Sequence, residues 1–363
     1  MLLNPTDIKL SVGFIFFIIF LKKVYTSIYI CVIINISQHN IIIKSIYLYI
    51  RKEVKMSKTK KTELLEQNYV GVDVGNAYTK SGKVRFSTKV RIGEKLNGVG
   101  KSKKDVHSVV FNGENYVVGE GSIFTTEERY FSTQYSICLL TAIALRFPEQ
   151  DFIDVTVCVG LPFKRHKHYA ARLAATYNGK QFNIEVNSKE YTIRINAMEV
   201  FVEGALPILT ENTGKVITID VGGETTDVTQ FNNLEIEAFD TYPTAMNSIY
   251  ADVCDYLSNN DKGDFLPYEV EKFFNKTKIR VDQKEVDISG IRNVIQQSIT
   301  ELASIIKNKF DIQNADEIII IGGGGMDTYT YWKNEFKTAT LQEDSQFINS
   351  SIYEQVAKEV ASE

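Results

Sequence analysis

The residues with chemical potential in this chain are acids placed where apolar runs end, each beside glycines or hydroxyls. Val216–Val228 reads Val-Ile-Thr-Ile-Asp-Val-Gly-Gly-Glu-Thr-Thr-Asp-Val. Val216–Val221 is β-branched and apolar, too short for a helix and long enough for a buried strand. Asp220 falls at its end, where burying a carboxylate is costly unless it is paired, hydrated or bound to a metal. Gly222-Gly223 lets the backbone turn sharply and approach a ligand. Glu224, Thr225, Thr226 and Asp227 follow, with hydroxyls and free N–H groups, before a second β-type run over Val228–Phe231. The segment predicts a hairpin with a phosphate-sized mouth and a carboxylate able to hold Mg²⁺ through water. Taken alone, it is equally an ordinary Gly-Gly β-turn.

The same design occurs earlier. Tyr69–Val74 predicts a buried strand that runs into Asp73-Val74-Gly75-Asn76-Ala77-Tyr78-Thr79-Lys80, with Val84–Thr88 as the return strand. Lys80 adds a cation suited to a β- or γ-phosphate. Two such hairpins in one chain point to a duplicated fold that clasps phosphates from both sides. A third acid, Glu203, stands between a strand at Met198–Val202 and a short helix at Ala205–Leu209. Helix-dipole stabilisation and the positioning of an attacking water both account for it. Finally, the strand Glu317–Ile321 ends in Gly322-Gly323-Gly324-Gly325-Met326, which implies a close backbone approach to something flat or anionic.

The elements that must carry these groups alternate between strand and helix. The patterning predicts helices at Ser132–Phe147, Lys164–Tyr177, Ala245–Leu257, Pro267–Phe274, Ile288–Phe310, Asp327–Lys337 and Ser350–Ala361. Further strands are predicted at Asp154–Val159 and Glu235–Thr241. Hairpins are predicted around Asn112-Gly113 and, between Gln181–Val186 and Glu190–Asn196, around Asn187-Ser188. Gly93–Lys104 reads as an exposed loop and Ser57–Glu66 as a polar lead-in. At 363 residues the chain has room for two domains. A net charge of −4 offers no evident face for nucleic acid. Four cysteines without pair spacing imply buried, reduced thiols and a cytoplasmic setting. His166 and His168 sit among basic residues and read as a solvated helix face. There is no dinucleotide fingerprint, no Gly-x-x-x-x-Gly-Lys-Ser/Thr run and no Gly-x-Ser-x-Gly elbow.

The first 55 residues differ in composition: about a quarter are Ile, and two apolar runs, Leu10–Leu21 and Val24–Ile36, are split by Lys22-Lys23. Each falls short of the ~20 residues of a membrane-spanning helix. The expectation is that Met56 is the true start and that 1–55 is non-native or disordered, the rival being a membrane-associated hairpin.

Together these segments resemble the actin superfamily, and within it the plasmid actin-like proteins of the ParM/StbA type. Val-Gly-Val-Asp-Val-Gly-Asn-Ala-Tyr-Thr-Lys (70–80) is similar to the first phosphate loop, and Val-Cys-Val-Gly-Leu-Pro (157–162) to the first connecting segment. Val-Phe-Val-Glu-Gly-Ala-Leu-Pro (200–207) resembles the segment with the water-activating residue. Ile-Asp-Val-Gly-Gly-Glu-Thr-Thr-Asp-Val (219–228) resembles the second phosphate loop, and Ile-Ile-Gly-Gly-Gly-Gly-Met (320–326) the adenosine motif. The resemblance spans roughly 69–355. Asn76 and Thr79 stand where many relatives carry other small polar residues.

The resemblance implies an α/β, actin-like (ribonuclease H-like) fold, with two βαβ-rich domains around a nucleotide cleft. Domain I would take 69–210 plus 327–363, and domain II 211–326. ATP (or GTP) with Mg²⁺ would bind between them. Asp73, Gly75, Asn76, Ala77, Tyr78, Thr79, Lys80, Gly222, Gly223, Glu224, Thr225, Thr226, Gly322, Gly323, Gly324, Gly325 and Met326 would hold the nucleotide. Asp73 and Asp220 would hold hydrated Mg²⁺, and Glu203 with Asp220 would serve catalysis. The implied function is an ATPase filament that segregates plasmid DNA. It would do so through a small DNA-binding adaptor on centromere DNA, without direct nucleic-acid contact or membrane attachment. A sugar- or acetate-type kinase and an MreB-like cell-shape filament are the alternatives.

Overall fold

The structure is a computed structural model, and it describes residues 20–24, 27–31, 68–94, 105–122 and 127–362. The segment 1–65 is a unit of its own. In it, β1 (Phe20–Val24) pairs antiparallel with β2 (Ser27–Cys31), Phe20 opposite Cys31. The start at Met56, the polar lead-in and most of the 93–104 loop lie outside the described residues.

From residue 66 onward the chain builds two sheets. The first contains β3 (Asn68–Val74), β4 (Tyr78–Ser81), β5 (Val84–Ser87), β6 (Val90–Ile92), β7 (His107–Phe111), β8 (Glu114–Val118), β9 (Phe152–Leu161), β10 (Lys180–Val186) and β11 (Lys189–Val202). Their order is β5-β4-β3-β9-β11-β10-β7-β8-β6. The three central strands are parallel, with Val72 and Val200 both opposite Val159. Val155–Val159 of β9 is buried throughout because both faces are covered there, whereas β11 alternates between buried and more exposed positions. Helix α1 (Thr133–Arg146) is capped by the Ser132 hydroxyl, which accepts the Tyr135 N–H at 3.2 Å, and its Ile137, Leu139, Leu140 and Ile143 are fully buried. Helix α2 (Phe163–Tyr177) follows β9, and its Leu173 and Tyr177 join the same core. The two strands expected at 190–196 and 198–202 are one strand, β11: a bulge between Ile195 and Ala197 absorbs the extra residue.

The second sheet has the order β14-β13-β12-β17-β18. Its strands are β12 (Val216–Val221), β13 (Thr226–Asn232), β14 (Glu235–Tyr242), β17 (Glu317–Ile321) and β18 (Thr340–Leu341). Between them come helix α3 (Met246–Asn259), the hairpin β15 (Lys278–Val281) and β16 (Lys284–Asp287), α4 (Ile291–Lys309) and α5 (Gly323–Glu335). The helix expected at Pro267–Phe274 is one helical turn, Pro267–Val270, continued by turns that still bury Phe273 and Phe274. The β15–β16 hairpin carried no Asn-Gly or Gly-Gly signal, because Asp282 and Gln283 themselves adopt positive φ (47° and 65°) at its tip.

The division of the C-terminal segment differs from expectation. The resemblance places residues 327–363 in the first domain. Instead α5 buries Trp332 against the second core, and β18 extends the second sheet. Only α6 (Ile348–Ala361) lies on the first sheet, and it reaches both. Its Ile352, Tyr353 and Ala357 pack with Cys158 of β9 and with Val216, Ile319 and Ile321 of β12 and β17. Two glycines permit that approach. A Cβ on Gly71 would stand 2.1 Å from the Glu354 nitrogen, and one on Gly160 would stand 1.8 Å from the Tyr353 hydroxyl. Cys138 and Cys158 are buried free thiols. No helix among the described residues is long and apolar enough to cross a membrane.

Candidate functional site

The two predicted hairpins face each other across a cleft of about 540 Å³ between the sheets. Each is built in the same way. The strand ends on an acid, two residues later a glycine N–H donates back across the turn, and a polar residue seven positions on faces the acid. Gly75 N–H reaches the Tyr78 carbonyl at 3.1 Å, and Gly222 N–H reaches the Thr225 carbonyl at 2.9 Å. Asp73 stands opposite Lys80, and Asp220 stands opposite Asp227. The tips come together: a Cβ on Gly223 would be 3.0 Å from that of Ala77.

The alternation of strand side chains decides which expected residues reach the cleft. Asp73, Gly75, Asn76, Ala77, Tyr78, Lys80, Glu203, Asp220, Gly222, Gly223, Thr225, Gly322, Gly323 and Gly324 line it. Thr79 and Thr226 occupy matching inward positions and do not. The Thr79 hydroxyl lies 3.0 Å from that of Thr88, and the Thr226 hydroxyl donates to the Thr244 carbonyl at 2.7 Å. Glu224 turns aside to accept from Asn247 at 2.6 Å, Gly325 packs on Ile320, and Met326 points outward, half-exposed. The glycine run is not a free loop. Gly322 makes the turn at φ 85°, and Gly323–Gly325 form the first turn of α5. That first turn leaves backbone N–H groups without helical partners at the cleft.

Electrostatically the two sides differ. The Lys80 ammonium is 3.1 Å from Asp73 Oδ2 and compensates it. Asp220 Oδ2 instead accepts from an amide, Asn349 Nδ2, at 2.7 Å. Burial, with smaller contributions from Asp227 and Asp73, pushes its pKa up to about 6 against the Asn349 hydrogen bond and Lys80. Glu203 is pushed well above the carboxylate range by burial and then by Asp227, Asp73 and Asp220, with Arg129 opposing. Asp227 is raised by burial, although Thr241 and Thr225 donate to it at 2.6 and 3.0 Å. Such a set accommodates added positive charge. Among the described residues no three carboxylate, His or Cys side chains converge as direct metal ligands.

The backbone fixes Glu203 at a turn. Its N–H donates to the Leu161 carbonyl at 3.0 Å, and Gly204 follows at φ 72°. Sequence reasoning missed several lining residues: Arg129, Tyr130, Tyr250, Tyr268, Glu271, Asp327, Gln346 and Asn349. They come from helices and turns whose approach to the cleft has no local signature. Asp227 alone had one, the seven-residue spacing from Asp220 that repeats Asp73 and Lys80. At the outer end, the Tyr78 hydroxyl donates to Glu271 across the cleft at 2.6 Å, with Arg85 3.8 Å above the Tyr78 ring.

Residues 71–205 match the family model for the N-terminal domain of actin-like proteins. Residues 218–329 match that for the C-terminal part of the MreB-like archaeal actin homologue. No protein of curated function matches the sequence significantly. Among solved structures, Ta0583, an archaeal actin homolog, superposes with a TM-score of 0.70 at 16% identity, over 80% of this chain and 99% of its own. The ParM of a 15-stranded filament from Clostridium botulinum gives 0.68 at 18% identity, over 81% and 100%. Apo psk41 ParM gives 0.62 at 18%, over 81% and 98%. At these identities the likeness to the structures is one of fold. The two domain models, in succession, cover well over half of the chain, which belongs to the actin superfamily.

Proposed function

We propose that the chain is a nucleotide-dependent filament protein that binds ATP or GTP with Mg²⁺ in this cleft and hydrolyses it to control filament turnover. The observation that carries this reading is the facing pair of glycine hairpins with a set of buried acids, raised chiefly by burial, beside them. Phosphates fit the N–H-rich turns and Lys80, and a divalent cation fits the acids. Asp220 and Asp73 would hold hydrated Mg²⁺, whose charge offsets both the phosphates and these carboxylates. In hydrolysis the water oxygen attacks the γ-phosphorus, its proton passes to Glu203, and the bond to the β-phosphate oxygen breaks. Lys80 and the loop N–H groups stabilise the charge that builds on the transferred group.

Self-assembly is supported by the kind of neighbours the fold has. Solved neighbours include a ParM filament and an Alp12 filament, and Ta0583 has been solved with ADP. In this reading the protein works in the cytoplasm and segregates plasmid DNA. It reaches that DNA through a small DNA-binding adaptor, since its net charge of −4 provides no general attraction for phosphate backbones. Light scattering on adding Mg-nucleotide should rise above a critical concentration. A flat signal with phosphorylation of a sugar or of acetate would replace this reading with a small-molecule kinase.

A further inference from the structure

Asn349 sits in the first turn of α6, only 8% exposed, at the floor of the cleft. Its side chain makes two bonds to two different parts of the site. Oδ1 accepts the Gly204 N–H at 3.2 Å, and Nδ2 donates to Asp220 Oδ2 at 2.7 Å. The Gly204 carbonyl in turn accepts from the Thr218 hydroxyl of β12 at 3.2 Å. The turn that carries Glu203 is therefore pinned to β9 through Leu161, to β12 through Thr218 and to α6 through Asn349.

A primary amide offers an acceptor to one group and a donor to the other at once, whatever the pH. An ordinary helix-capping role does not explain it. The residue at the cap position is Phe347, which makes no side-chain cap bond, and both Asn349 bonds leave the helix. One turn further along, Tyr353 brings its hydroxyl under the same acids. It is fully buried, lacks a hydrogen-bond partner among the described residues, and has Glu203 as its foremost charged neighbour. Asn349 is thus the polar residue that α6 presents to the cleft, with the Tyr353 hydroxyl buried one turn on among apolar contacts.

We propose that Asn349 is a positioning residue that holds the Glu203 turn and the Asp220 carboxylate in fixed relation through one amide. Because α6 packs on both sheets, this bond registers the water-side acid of one domain against the metal-side acid of the other. The proposal rests on the nucleotide reading of the cleft.

Two variants separate holding the turn from holding the acid. Asn349→Asp keeps the acceptor for Gly204 and loses the donor to Asp220, whereas Asn349→Ala loses both. For Asn349→Asp, the Mg²⁺-free affinity for ADP should stay near that of the unmodified chain, while the melting temperature should fall because a second carboxylate is buried against Asp220. Its single-turnover hydrolysis should fall about 100-fold, the scale of a small misplacement of reacting groups. Adding Asp220→Asn to that variant should cost less than the two separate losses combined, because Asn349 acts in part through Asp220. Asn349→Ala should lose the same turnover and melt lower. Hydrolysis by Asn349→Asp at the unmodified rate, or full additivity with Asp220→Asn, would overturn the proposal while leaving the nucleotide cleft intact. If the unmodified chain binds neither ADP nor ATP, the cleft reading falls and this proposal falls with it.

Discussion

The two hairpin turns of the cleft are near-copies in backbone and opposites in charge. Each places an acid at a strand end, closes on a glycine N–H two residues later, and buries a threonine at the sixth position after the acid. At the seventh position the first hairpin carries Lys80 and the second Asp227. That one difference makes the first hairpin internally neutral and leaves the second short of positive charge. A duplicated scaffold has thus been given two tasks. In the proposed reading the first hairpin would bring its own cation to the phosphates, and the second would take one from solution.

This asymmetry can be attacked directly, and the largest expected effect lies where charge is in deficit. Glu203→Gln should cut turnover by roughly 1,000-fold, as expected for loss of a general base. Nucleotide affinity should stay within a few-fold and filaments should live longer; loss of binding instead would make Glu203 structural. Asp220→Asn should weaken Mg-nucleotide binding by about 100-fold. Binding without Mg²⁺ should change little, and unchanged affinity in both conditions would refute the metal role.

The seventh positions should then respond with opposite signs in the nucleotide-free protein. Lys80→Met strands the Asp73 carboxylate and should destabilise the fold by about 2 kcal/mol. Asp227→Asn relieves repulsion on Glu203 and Asp220 and should leave stability unchanged or raise it. Chemical denaturation of both variants measures this, and a shared sign would break the comparison.

The smallest effect is the pH response. Glu203, Asp220 and Asp227 hold their protons more tightly folded than unfolded, Asp220 up to about 6. The folded state therefore binds more protons than the unfolded state as pH falls from 7 through 6. The empty protein should gain stability from these acids as pH falls towards 5, by the linkage between proton uptake and folding. Mg-nucleotide affinity should weaken over the same interval, because the bound form needs the acids charged. Melting curves with and without Mg-ADP should slope oppositely, and parallel slopes would contradict this charge assignment.

The sequence exposed the parts of the site that depend on strand ends. Asp73, Glu203, Asp220 and the three glycine turns all follow apolar runs whose patterning announces a strand, so their convergence could be anticipated from the resemblance. The inward turn of Thr79 and Thr226 was legible in principle from strand alternation. What could not be read were contributions from elements that arrive by tertiary packing. Asn349 reaches the cleft, with Tyr353 buried beneath it, because Gly71 and Gly160 let α6 settle onto the sheet. The helical setting of Gly323–Gly325 was hidden because glycine runs weigh against helix, yet close packing of Gly324 on Val221 and Met246 favours it here. The assignment of 327–347 to the second domain likewise depends on where Trp332 is buried, a fact of packing rather than of pattern.

The central claim is that nucleotide bound between these hairpins drives assembly. Electron microscopy and pelleting of the protein with Mg-ATP or Mg-GTP, beside the Asp220→Asn variant, test it most directly. The account predicts nucleotide-dependent filaments from the unmodified chain and none from the variant at the same concentration. Filaments formed equally by both, or by neither, would contradict it.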